Sequence, residues 1–431
     1  MATYYVRKTG NDTTGDGSTG NPWLTFAKAN SAVVAGDTVN FGDGVYQENI
    51  SSTGYLYILN KLYASTVTYQ AENGASGDVT FQCLTSTTYN VFLNNCTHIT
   101  FKWIRFVSRV SNNYSALDFK NYNMSYIAFE DCIFTCISSS GAVNSSFQSG
   151  TQAGYAHSNI TFTRCTFNQI GSDNVDGFKY LSADAATPIS GLTLIDCNLT
   201  ASRTGYYIRG TSDLVMQNCS ATTTAAGGVA CKVGEDADSS VYTTAGMIDN
   251  CTFESKLSHS FLIGAGCEDF VATNCTVHGG DYGVVIKENT NTDVEYCSVF
   301  GGSVSGIYCK AAIDPIVTHN HITNYRASLF KVDKGTVNKC LGVTCEHNML
   351  VATGTAGCLE WVGDTGDAGG GMCDYNKYGP RGSGLLGSVR ADASVANLSE
   401  LRAAWAGYGD GSNDRHSTLI QNKSSLMLVK R

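Results

Sequence analysis

Short runs of alternating apolar and polar residues recur along the chain, and polar turns separate them. The clearest example is the pair of runs at 283–287 (GVVIK) and 294–299 (VEYCSV), with the polar turn 288–293 between them. Alternation with a period of two over four to eight residues predicts strands. The runs are also rich in β-branched residues and Asn, which favour strands and bends over helices. The pattern therefore predicts a chain built mainly of short strands.

The first run returns at a nearly constant spacing. Its fifth position falls at 209, 232, 264, 287, 310, 331 and 361, so the steps are 23, 32, 23, 23, 21 and 30 residues. A fixed period with occasional insertions is typical of a solenoid. The second run marks the same coils by a Cys at 96, 132, 165, 197, 219, 251, 275 and 297. We therefore predict a parallel β-helix, in which neighbouring strands lie about 4.8 Å apart and equivalent residues stack.

A solenoid grows by repetition, so 431 residues are compatible with a single domain. We predict one domain over 1–431, with an N-terminal cap at 1–50, coils at 51–362 and a C-terminal loop and cap at 363–431. In the N-terminal cap, a strand is predicted over 2–8, followed by a helix from Asn21 and Pro22 to about Val34. This helix would cover the open end of the solenoid, where an exposed strand edge promotes aggregation. Loops at 138–157 and 363–395 and a short helix at 397–405 complete the prediction.

Both ends of the chain resemble those of a known superfamily. The N-terminal segment contains YYVRKTGNDTTGDG, NPWLTFAKAN and AGDTVNFGDGVYQENI, and the closing segment runs from Trp405 to GDGSNDRHS. They resemble the first and last segments of the pectate-lyase-like right-handed parallel β-helix proteins. The resemblance implies an all-β, right-handed parallel β-helix with an N-terminal capping helix and a short C-terminal helix. It implies no particular activity.

Composition narrows the class of partner and the location. The net charge of −9 argues against a general nucleic-acid binder, and no apolar run approaches the length that spans a membrane. The sequence enters a strand directly after its first residues, so we expect a secreted protein whose signal was removed, or a phage virion protein. The 17 Cys are an odd number, and about half stand at one repeat position, which predicts an inward row of reduced thiols instead of disulfides.

A row of basic residues is the first candidate site. Because they follow an inward apolar residue, alternation predicts that these side chains point outward along one face; they are Arg209, Lys232, Lys287, Lys310 and Lys331. One interpretation is a solvated sheet face. The other is a groove for an acidic polysaccharide, in which stacked cations repel and an Arg or Lys abstracts the proton α to a uronate carboxylate. Tyr207 and Tyr308, at outward positions, would stack on sugar rings.

A second candidate site lies at 171–180, which reads GSDNVDGFKY. It resembles the DDGFD calcium loop of family 9 polysaccharide lyases, with Asp176 at the position of the second acid. The other two acids are replaced by Val175 and Lys179, so the resemblance implies Ca²⁺ held by Asp173 and Asp176 with an incomplete set of oxygen ligands. Lys179 would then supply the positive charge that calcium supplies elsewhere. The alternative interpretation is that the two acids are ordinary turn residues beside Gly.

The same family carries its catalytic Lys in a strand further along the chain. The corresponding strand here, TGYYIRG, places Arg209 at that position, while GGVACKVG, one coil later, is closer in sequence and offers Lys232. The resemblance therefore implies Arg209 or Lys232 as the base. Glu235 and Asp236, just after Lys232, would bind calcium, orient the base or solvate a loop.

We predict a polysaccharide lyase that cleaves an acidic, uronate-containing polysaccharide by β-elimination, as a monomer or a homotrimer. The expected substrate contacts are Lys179, Tyr207, Lys287, Lys310, Tyr308 and Lys331. The first alternative is a glycoside hydrolase, which needs paired carboxylates, or a uronate C5-epimerase on the same scaffold. The second is a phage tail spike or fibre, either non-catalytic or a depolymerase, and trimerisation would favour it.

Overall fold

A computed structural model describes most of the chain. The described residues are 1–47, 56–82, 91–110, 115–120, 123–138, 144–151, 155–171, 175–182, 189–225, 227–235, 241–333, 340–351, 357–362, 372–374, 376–378, 387–389, 394–395 and 418–419. They form two compact units, Met1–Thr224 and Ala225–Arg431, here called the N-terminal and C-terminal units. The single-domain organisation expected from the sequence stays a prediction.

In the N-terminal unit the chain visits three parallel sheets in turn, and each visit adds one strand to each sheet. Sheet A contains Thr3–Val6, Thr38–Phe41, Leu62–Ala71, Cys96–Lys102, Met124–Glu130, His157–Thr163, Ile189–Ile195, Thr211–Ser212 and Val215–Gln217. Sheet B contains Leu56–Leu59, Val91–Asn94, Ser115–Lys120, Asn144–Thr151, Val175–Ser182 and Thr204–Arg209. Sheet C contains Gly44–Tyr46, Val79–Gln82, Ile104–Val110, Ile133–Ser138, Thr166–Gly171, Asn198–Ala201 and Ser220–Thr223.

The C-terminal unit repeats this arrangement, and its strands of the three sheets are named A′, B′ and C′. Sheet A′ contains Thr243–Thr244, Met247–Asp249, Cys267–Thr273, Thr290–Glu295, Ile316–Thr318, Thr344–Glu346 and Met372–Asp374. Sheet B′ contains Val229–Val233, His259–Ile263, Tyr282–Lys287, Ser305–Lys310, Ser328–Asp333, Gly357–Val362, Gly387–Val389 and the antiparallel Ser394–Val395. Sheet C′ contains Thr252–Ser255, Thr276–Gly279, Ser298–Gly302, His321–Tyr325, Met349–Val351, Lys377–Tyr378 and Thr418–Leu419. The architecture is the right-handed parallel β-helix that the sequence predicts.

The two units fill their interiors differently. In the N-terminal unit, Phe101, Phe129 and Phe162 of sheet A stack with ring centroids 5.2 and 5.0 Å apart. Sheet C adds a second stack of Phe106, Phe134 and Phe167. In the C-terminal unit the equivalent column of sheet C′ is mostly aliphatic: Phe253, Val277, Val299, Ile322 and Leu350. Because equivalent residues stack at every coil, burial of these columns stabilises the solenoid along its length.

From Cys96–Lys102 to Thr344–Glu346, the bend that follows the strands of sheets A and A′ has a fixed backbone conformation. Its first residue adopts positive φ, for example 54° at Asp131, 54° at Asn218 and 55° at Asn274. Asn and Asp tolerate this left-handed conformation, which explains their frequency there. The next residue points inward and is usually Cys, but Asn320 and Asn348 take its place in the later coils, where their amides bond to each other and to the backbone.

The predicted row of buried thiols is confirmed with one exception. The 14 Cys whose side chains the structure describes are all buried and free. Seven of the eight predicted positions share the bend; Cys132, for example, donates its thiol to the carbonyl of Phe101 in the preceding coil. Cys96 was assigned to this row wrongly, because it opens a strand of sheet A and pairs with Met124. The residue aligned with Cys132 in that coil is Ile104, next to the paired Arg105 and Ile133.

The N-terminal helix is confirmed, but its predicted start is wrong. It spans Phe26–Ala32, and Thr25 is the N-cap, whose hydroxyl accepts a hydrogen bond from the Lys28 amide at 3.1 Å. Asp12 binds the amides of residues 24 and 25, so the chain before the helix is held as a turn. Asn21 and Pro22 belong to that turn. Among the described residues, no helix has the length and apolar character of a membrane span.

Two predicted loops contain strands. Asn144–Thr151, inside the expected loop 138–157, joins sheet B and buries Phe147 in the core. The sequence of this strand is rich in Ser and Gln, which is typical of a loop. Phe147 is its one apolar residue, and burial of this side chain anchors the strand in the core. Four strands, beginning with Met372–Asp374, also lie inside 363–395. The predicted helix at 397–405 lies outside the described residues.

Candidate functional site

The outer face of sheet B′ carries two columns of side chains that come from successive coils. Inward residues such as Val284 and Ile286 are fully buried, so the residues between and after them face outward. Strand register defines the first column as Lys232, Leu262, Val285, Tyr308, Lys331 and Glu360. The second column is Lys287, Lys310 and Asp333. We refer to the two columns together as the B′ face.

The basic row predicted from the sequence is therefore split between two columns. The pairing of Lys287 with Lys310 is confirmed. The prediction that Lys331 continues their column is wrong, because Lys331 pairs with Tyr308 while Asp333 pairs with Lys310. Lys232 is likewise in the other column, opposite Leu262. A shift of two residues leaves the inward and outward alternation unchanged, so the sequence pattern alone does not fix this register.

The middle of the B′ face is apolar and closed to solvent. Leu262, Val285 and Tyr308 are only 2%, 1% and 9% exposed, and Val229 and Tyr282 pack against them. The rings of Tyr282 and Tyr308 stack at 5.1 Å between centroids. This cluster holds Tyr308 in one orientation, which fixes its hydroxyl relative to the charged groups around it.

A network of polar contacts surrounds Tyr308. Its hydroxyl donates to Asp333 Oδ2 at 3.0 Å, and Lys331 Nζ lies 5.6 Å from its ring centroid and 3.0 Å from Glu360 Oε1. Burial, and then the Asp333 carboxylate, raise the pKa of the Tyr308 phenol. Tyr308 is therefore a hydrogen-bond donor at neutral pH and does not act as a base.

The two lysines of the second column, Lys287 and Lys310, differ in ion pairing from the two lysines of the first column. Lys232 is 8% exposed and its Nζ lies 3.6 Å from Glu235, and Lys331 is paired with Glu360. Lys287 and Lys310 are half-buried in adjacent coils, and no ion pair engages them within the described residues. The B′ face thus presents two adjacent positive charges beside a tyrosine stack. Asp236, the other acid predicted near Lys232, lies outside the described residues.

In the N-terminal unit, the outer face of sheet B carries the remaining predicted residues. Lys179 pairs in register with Tyr207, and both are half-buried. Arg209 lies two residues after Tyr207 on the same strand and donates from Nη2 to the Ser182 carbonyl at 3.0 Å. The structure therefore brings these three predicted residues together on one face.

Asp176 does not have the environment of a calcium ligand. It is fully buried, and its two carboxylate oxygens accept hydrogen bonds from Nε and Nη2 of Arg203 at 2.9 and 2.6 Å. The Asp176 carboxylate in turn raises the pKa of Arg203. The Arg203 guanidinium compensates the charge of this buried carboxylate, so the structure gives no support to Asp176 as a metal ligand, and that role stays a prediction. Asp173 lies outside the described residues.

Metal binding finds little other support in the described part of the chain. No group of three or more His, Cys, Asp or Glu side chains there is arranged to hold a metal ion. Glu235 lies 3.6 Å from Lys232 Nζ, which agrees with the second of the alternatives expected for it, orientation of the base. Calcium dependence stays a prediction.

Sequence reasoning missed three residues of these sites. Arg203 lies one coil after Asp176 in sequence, and this spacing of 27 residues is the signal that pairs them. Glu360 follows Lys331 by 29 residues for the same reason. Tyr282 opens the strand that carries Lys287, but its stacking on Tyr308 depends on register that the pattern leaves open.

Sheet A′ forms a separate groove of about 460 Å³ lined by carboxylates. Asp293 lies in its floor, and burial, followed by the charge of Glu295, raises the pKa of Asp293. Asp269 accepts a hydrogen bond from Asn291 at 3.0 Å. A side chain at Gly342 would meet Asp314 Oδ1 at 1.8 Å, so glycine is required there to admit this third carboxylate.

Comparison with known proteins supports the architecture. The family model described as "Right handed beta helix region" matches residues 236–366. No curated protein sequence matches the chain.

Several solved structures share the fold. Tailspike protein 3 of Bacteriophage CBA120 is 12% identical with a TM-score of 0.51, and the match covers 91% of this chain and 60% of that one. Pectate lyase Pel9A is 16% identical, with a TM-score of 0.48 and coverage of 74% and 77%. The A-module of the mannuronan C-5 epimerase AlgE6 of Azotobacter vinelandii is 12% identical, with a TM-score of 0.47 and coverage of 91% of both chains. At these identities the likeness concerns the fold alone: the chain is a right-handed parallel β-helix protein.

Proposed function

We propose that the protein is a polysaccharide lyase that binds a uronate-containing polysaccharide on the B′ face and cleaves it by β-elimination. The observation that carries the proposal is the pair of adjacent lysines, Lys287 and Lys310, which lie in register beside the Tyr282 and Tyr308 stack. Adjacent strands are about 4.8 Å apart, a spacing of the order of one sugar ring in an extended chain. Consecutive coils can therefore contact consecutive or alternate uronates.

The chemistry needs positive charge where Lys287 and Lys310 lie. In β-elimination a base removes the proton on the carbon that bears the uronate carboxylate. The electron pair left behind forms a carbon–carbon double bond as the adjacent glycosidic C–O bond breaks, and the departing oxygen takes up a proton. Negative charge accumulates on the carboxylate in the transition state, so cations placed there lower the barrier. Lys287 and Lys310 are proposed for this role.

Lys232 is the base that this face supports. It lies on the same sheet as Lys287, and Glu235 is 3.6 Å from its Nζ. To accept a proton, Lys232 must first lose its own proton and become a neutral amine; displacement of Glu235 by bound substrate would favour this, because a partner carboxylate stabilises the charged form. Arg209, on the face that also carries Lys179 and Tyr207, is the alternative base in the N-terminal unit.

The test is to incubate the protein with pectate, alginate, chondroitin and ulvan, and to follow the ultraviolet absorbance of the unsaturated product. We expect a rise with at least one polymer, and a parallel series with EDTA measures calcium dependence. The double variant Lys287→Gln with Lys310→Gln should lose at least about 99% of the activity, because two charge-assisted contacts contribute about 3 kcal/mol together. Lys256→Gln, at an exposed position in the bend before sheet B′ and outside its two columns, is the matched control and should remain active.

Two outcomes contradict the proposal. Activity that survives in the double Lys variant would remove the B′ face from the mechanism. New reducing ends without new absorbance would show hydrolysis instead of elimination.

Hydrolysis is the second candidate function, and the A′ groove favours it. A glycosidase needs one carboxyl that is protonated and one that is ionised. The raised pKa of Asp293 suits the first role, and Asp269 or Asp314 in the same groove suits the second. In that case Asp293→Asn would abolish the release of reducing ends, and the double Lys variant would not.

A further inference from the structure

A row of exposed rings lies at the bend between sheets A′ and C′, away from both proposed sites. Tyr296, His319 and His347 hold equivalent positions in three successive coils, where earlier coils have Asn250 and Asn274. The rings of Tyr296 and His319 stack at 4.7 Å, and those of His319 and His347 at 4.9 Å with 27° between their planes. Both histidines are exposed.

The backbone beneath these rings is firmly held. The amide of His319 donates to the Glu346 carbonyl at 3.2 Å, so the two histidines are fixed in adjacent coils. One residue further on, the buried Asn348 side chain accepts from the Asn320 amide at 2.9 Å and donates to the Val317 carbonyl at 2.8 Å. The spacing of the two imidazoles is therefore built into the coil repeat and does not depend on a loop.

We propose that His319 and His347 together bind one divalent transition-metal cation, of the class Ni²⁺, Cu²⁺ or Zn²⁺. Imidazole nitrogen is a preferred ligand for these ions. With metal–nitrogen bonds of about 2.1 Å, one ion joins two nitrogens that are about 3.4 to 4.2 Å apart. The imidazole lone pairs lie in the ring planes, which are stacked with 27° between them, so the two exposed side chains must turn out of the stack to point one nitrogen each at a shared ion.

The surroundings favour a single cation. Tyr296 covers the other face of the His319 ring and offers no imidazole, so the described row contains one histidine pair and sets one ion per chain. Glu295 and Glu346 directly precede Tyr296 and His347, and their carboxylates place negative charge on the same sheet. Water completes the coordination sphere, because the pair supplies two ligands only.

The test uses full-length protein that has been stripped with EDTA and dialysed. Calorimetric titration with Ni²⁺ and, separately, with Zn²⁺ should show one ion per chain. His319→Phe and His347→Phe keep a ring in the stack but remove the nitrogens, and each should weaken binding at least tenfold. His278→Phe is the matched control, because His278 also stacks on a ring, that of Phe300 at 4.8 Å, but has no histidine beside it.

A second measurement separates loss of the site from loss of the fold. Because the ion binds the folded protein, it should raise the melting temperature of the wild type and of His278→Phe, but not that of His319→Phe. Metal-free melting temperatures of all variants should agree. Binding that persists in His319→Phe, or a wild type that binds neither ion, would overturn the proposal.

Discussion

Sheets B and B′ use charge in opposite ways. In the N-terminal unit, the fully buried Asp176 is bound by two nitrogens of Arg203, so its charge is compensated inside the protein. In the C-terminal unit, Lys287 and Lys310 lie side by side; Asp333 follows Lys310 in the same column, but no ion pair engages either lysine among the described residues. The first arrangement is complete without a ligand, whereas the second leaves two charges for a ligand to neutralise.

The difference follows from the side of the sheet: a buried charge such as Asp176 needs a partner within the protein, whereas the backbone of a solenoid constrains its outward residues little. Each coil must place apolar residues inward at the same positions, such as Phe178 and Tyr206 in one unit and Val284 and Ile307 in the other. The outward positions between them are free to vary from coil to coil. Function on this fold therefore depends on which neighbouring coils happen to carry complementary or like charges, and the two units can be altered independently.

The largest expected effect is a loss of stability on removal of the Arg203 partner of Asp176. Arg203→Ala leaves the buried Asp176 charge without its partner and should lower the free energy of unfolding by about 2–3 kcal/mol, less than for a fully buried pair because the Arg203 side chain is 39% exposed. Urea denaturation measures this loss. The control is Arg164→Ala, which removes a similar two-nitrogen contact to Asp131 at an exposed site and should change stability little.

Activity and stability measured on Arg203→Ala and on the double Lys287 and Lys310 variant also test the proposed function. Arg203→Ala should leave activity per folded molecule unchanged, while the double Lys287 and Lys310 variant should lose activity and keep its stability. If Arg203→Ala abolished turnover without loss of stability, the contrast between a structural and a ligand-binding face would be wrong.

A smaller effect should distinguish the tyrosine hydroxyls of the two units. Tyr308→Phe removes a donor to the Asp333 carboxylate, and we expect a loss of about 2 kcal/mol in the free energy of unfolding. Tyr206→Phe removes a donor to the neutral Cys197 carbonyl at 3.3 Å and should cost about 1 kcal/mol. Denaturation of both variants in the same buffer gives the comparison. Equal losses would mean that the charge of Asp333 adds nothing to its bond with Tyr308.

The smallest effect concerns Asp293 and depends on pH. Burial raises its pKa in the folded protein, so the ionised form is the one that costs stability. Stability contributed by its protonated form is complete below the unfolded value of about 3.9 and is lost as the pH rises through the folded pKa. Asp293→Asn should therefore be more stable than the wild type at pH 7, by less than about 1 kcal/mol because the site is half-exposed.

Thermal melting at pH 7 and at about pH 3.5 tests this prediction, since the advantage should disappear at the lower pH. Asp213→Asn, at an exposed bend, is the control and should show no such change between the two pH values. An advantage of Asp293→Asn that is the same at both pH values would contradict the role of ionisation.

The sequence predicted the fold because the solenoid repeats its signals. Inward residues such as Val284 and Ile307 recur at fixed spacing, and each repetition reinforces the same strand assignment. The bend was visible for a similar reason, since an Asn or Asp followed by Cys recurs in the coils where the backbone turns left-handed. The predictions failed where only one residue carried the signal. Phe147 is the single apolar residue of a polar strand that was predicted as part of a loop, and Cys96 was assigned to the bend because its neighbours resemble those of the bend.

The sites were less predictable than the fold because they depend on register between coils. Alternation shows that Lys331 faces outward, but only hydrogen bonding between strands decides whether its neighbour is Lys310 or Tyr308. Likewise, Asp176 and Arg203 are 27 residues apart, and their bond exists only because one coil has that length. A contact between residues of adjacent coils can therefore be predicted only when the length of the coil is known. Insertions change this length from one coil to the next.

The inward position of the bend has a consequence for how such a protein can change over evolutionary time. That position is Ile104 in one coil, Cys in seven described coils and Asn320 or Asn348 in later ones, and each occupant fits the same backbone. A coil is therefore an interchangeable part whose corner tolerates different occupants. Duplication or deletion of a whole coil would preserve every neighbour's geometry, so the length of the protein, and the number of sites on its surface, can be adjusted by steps of one turn.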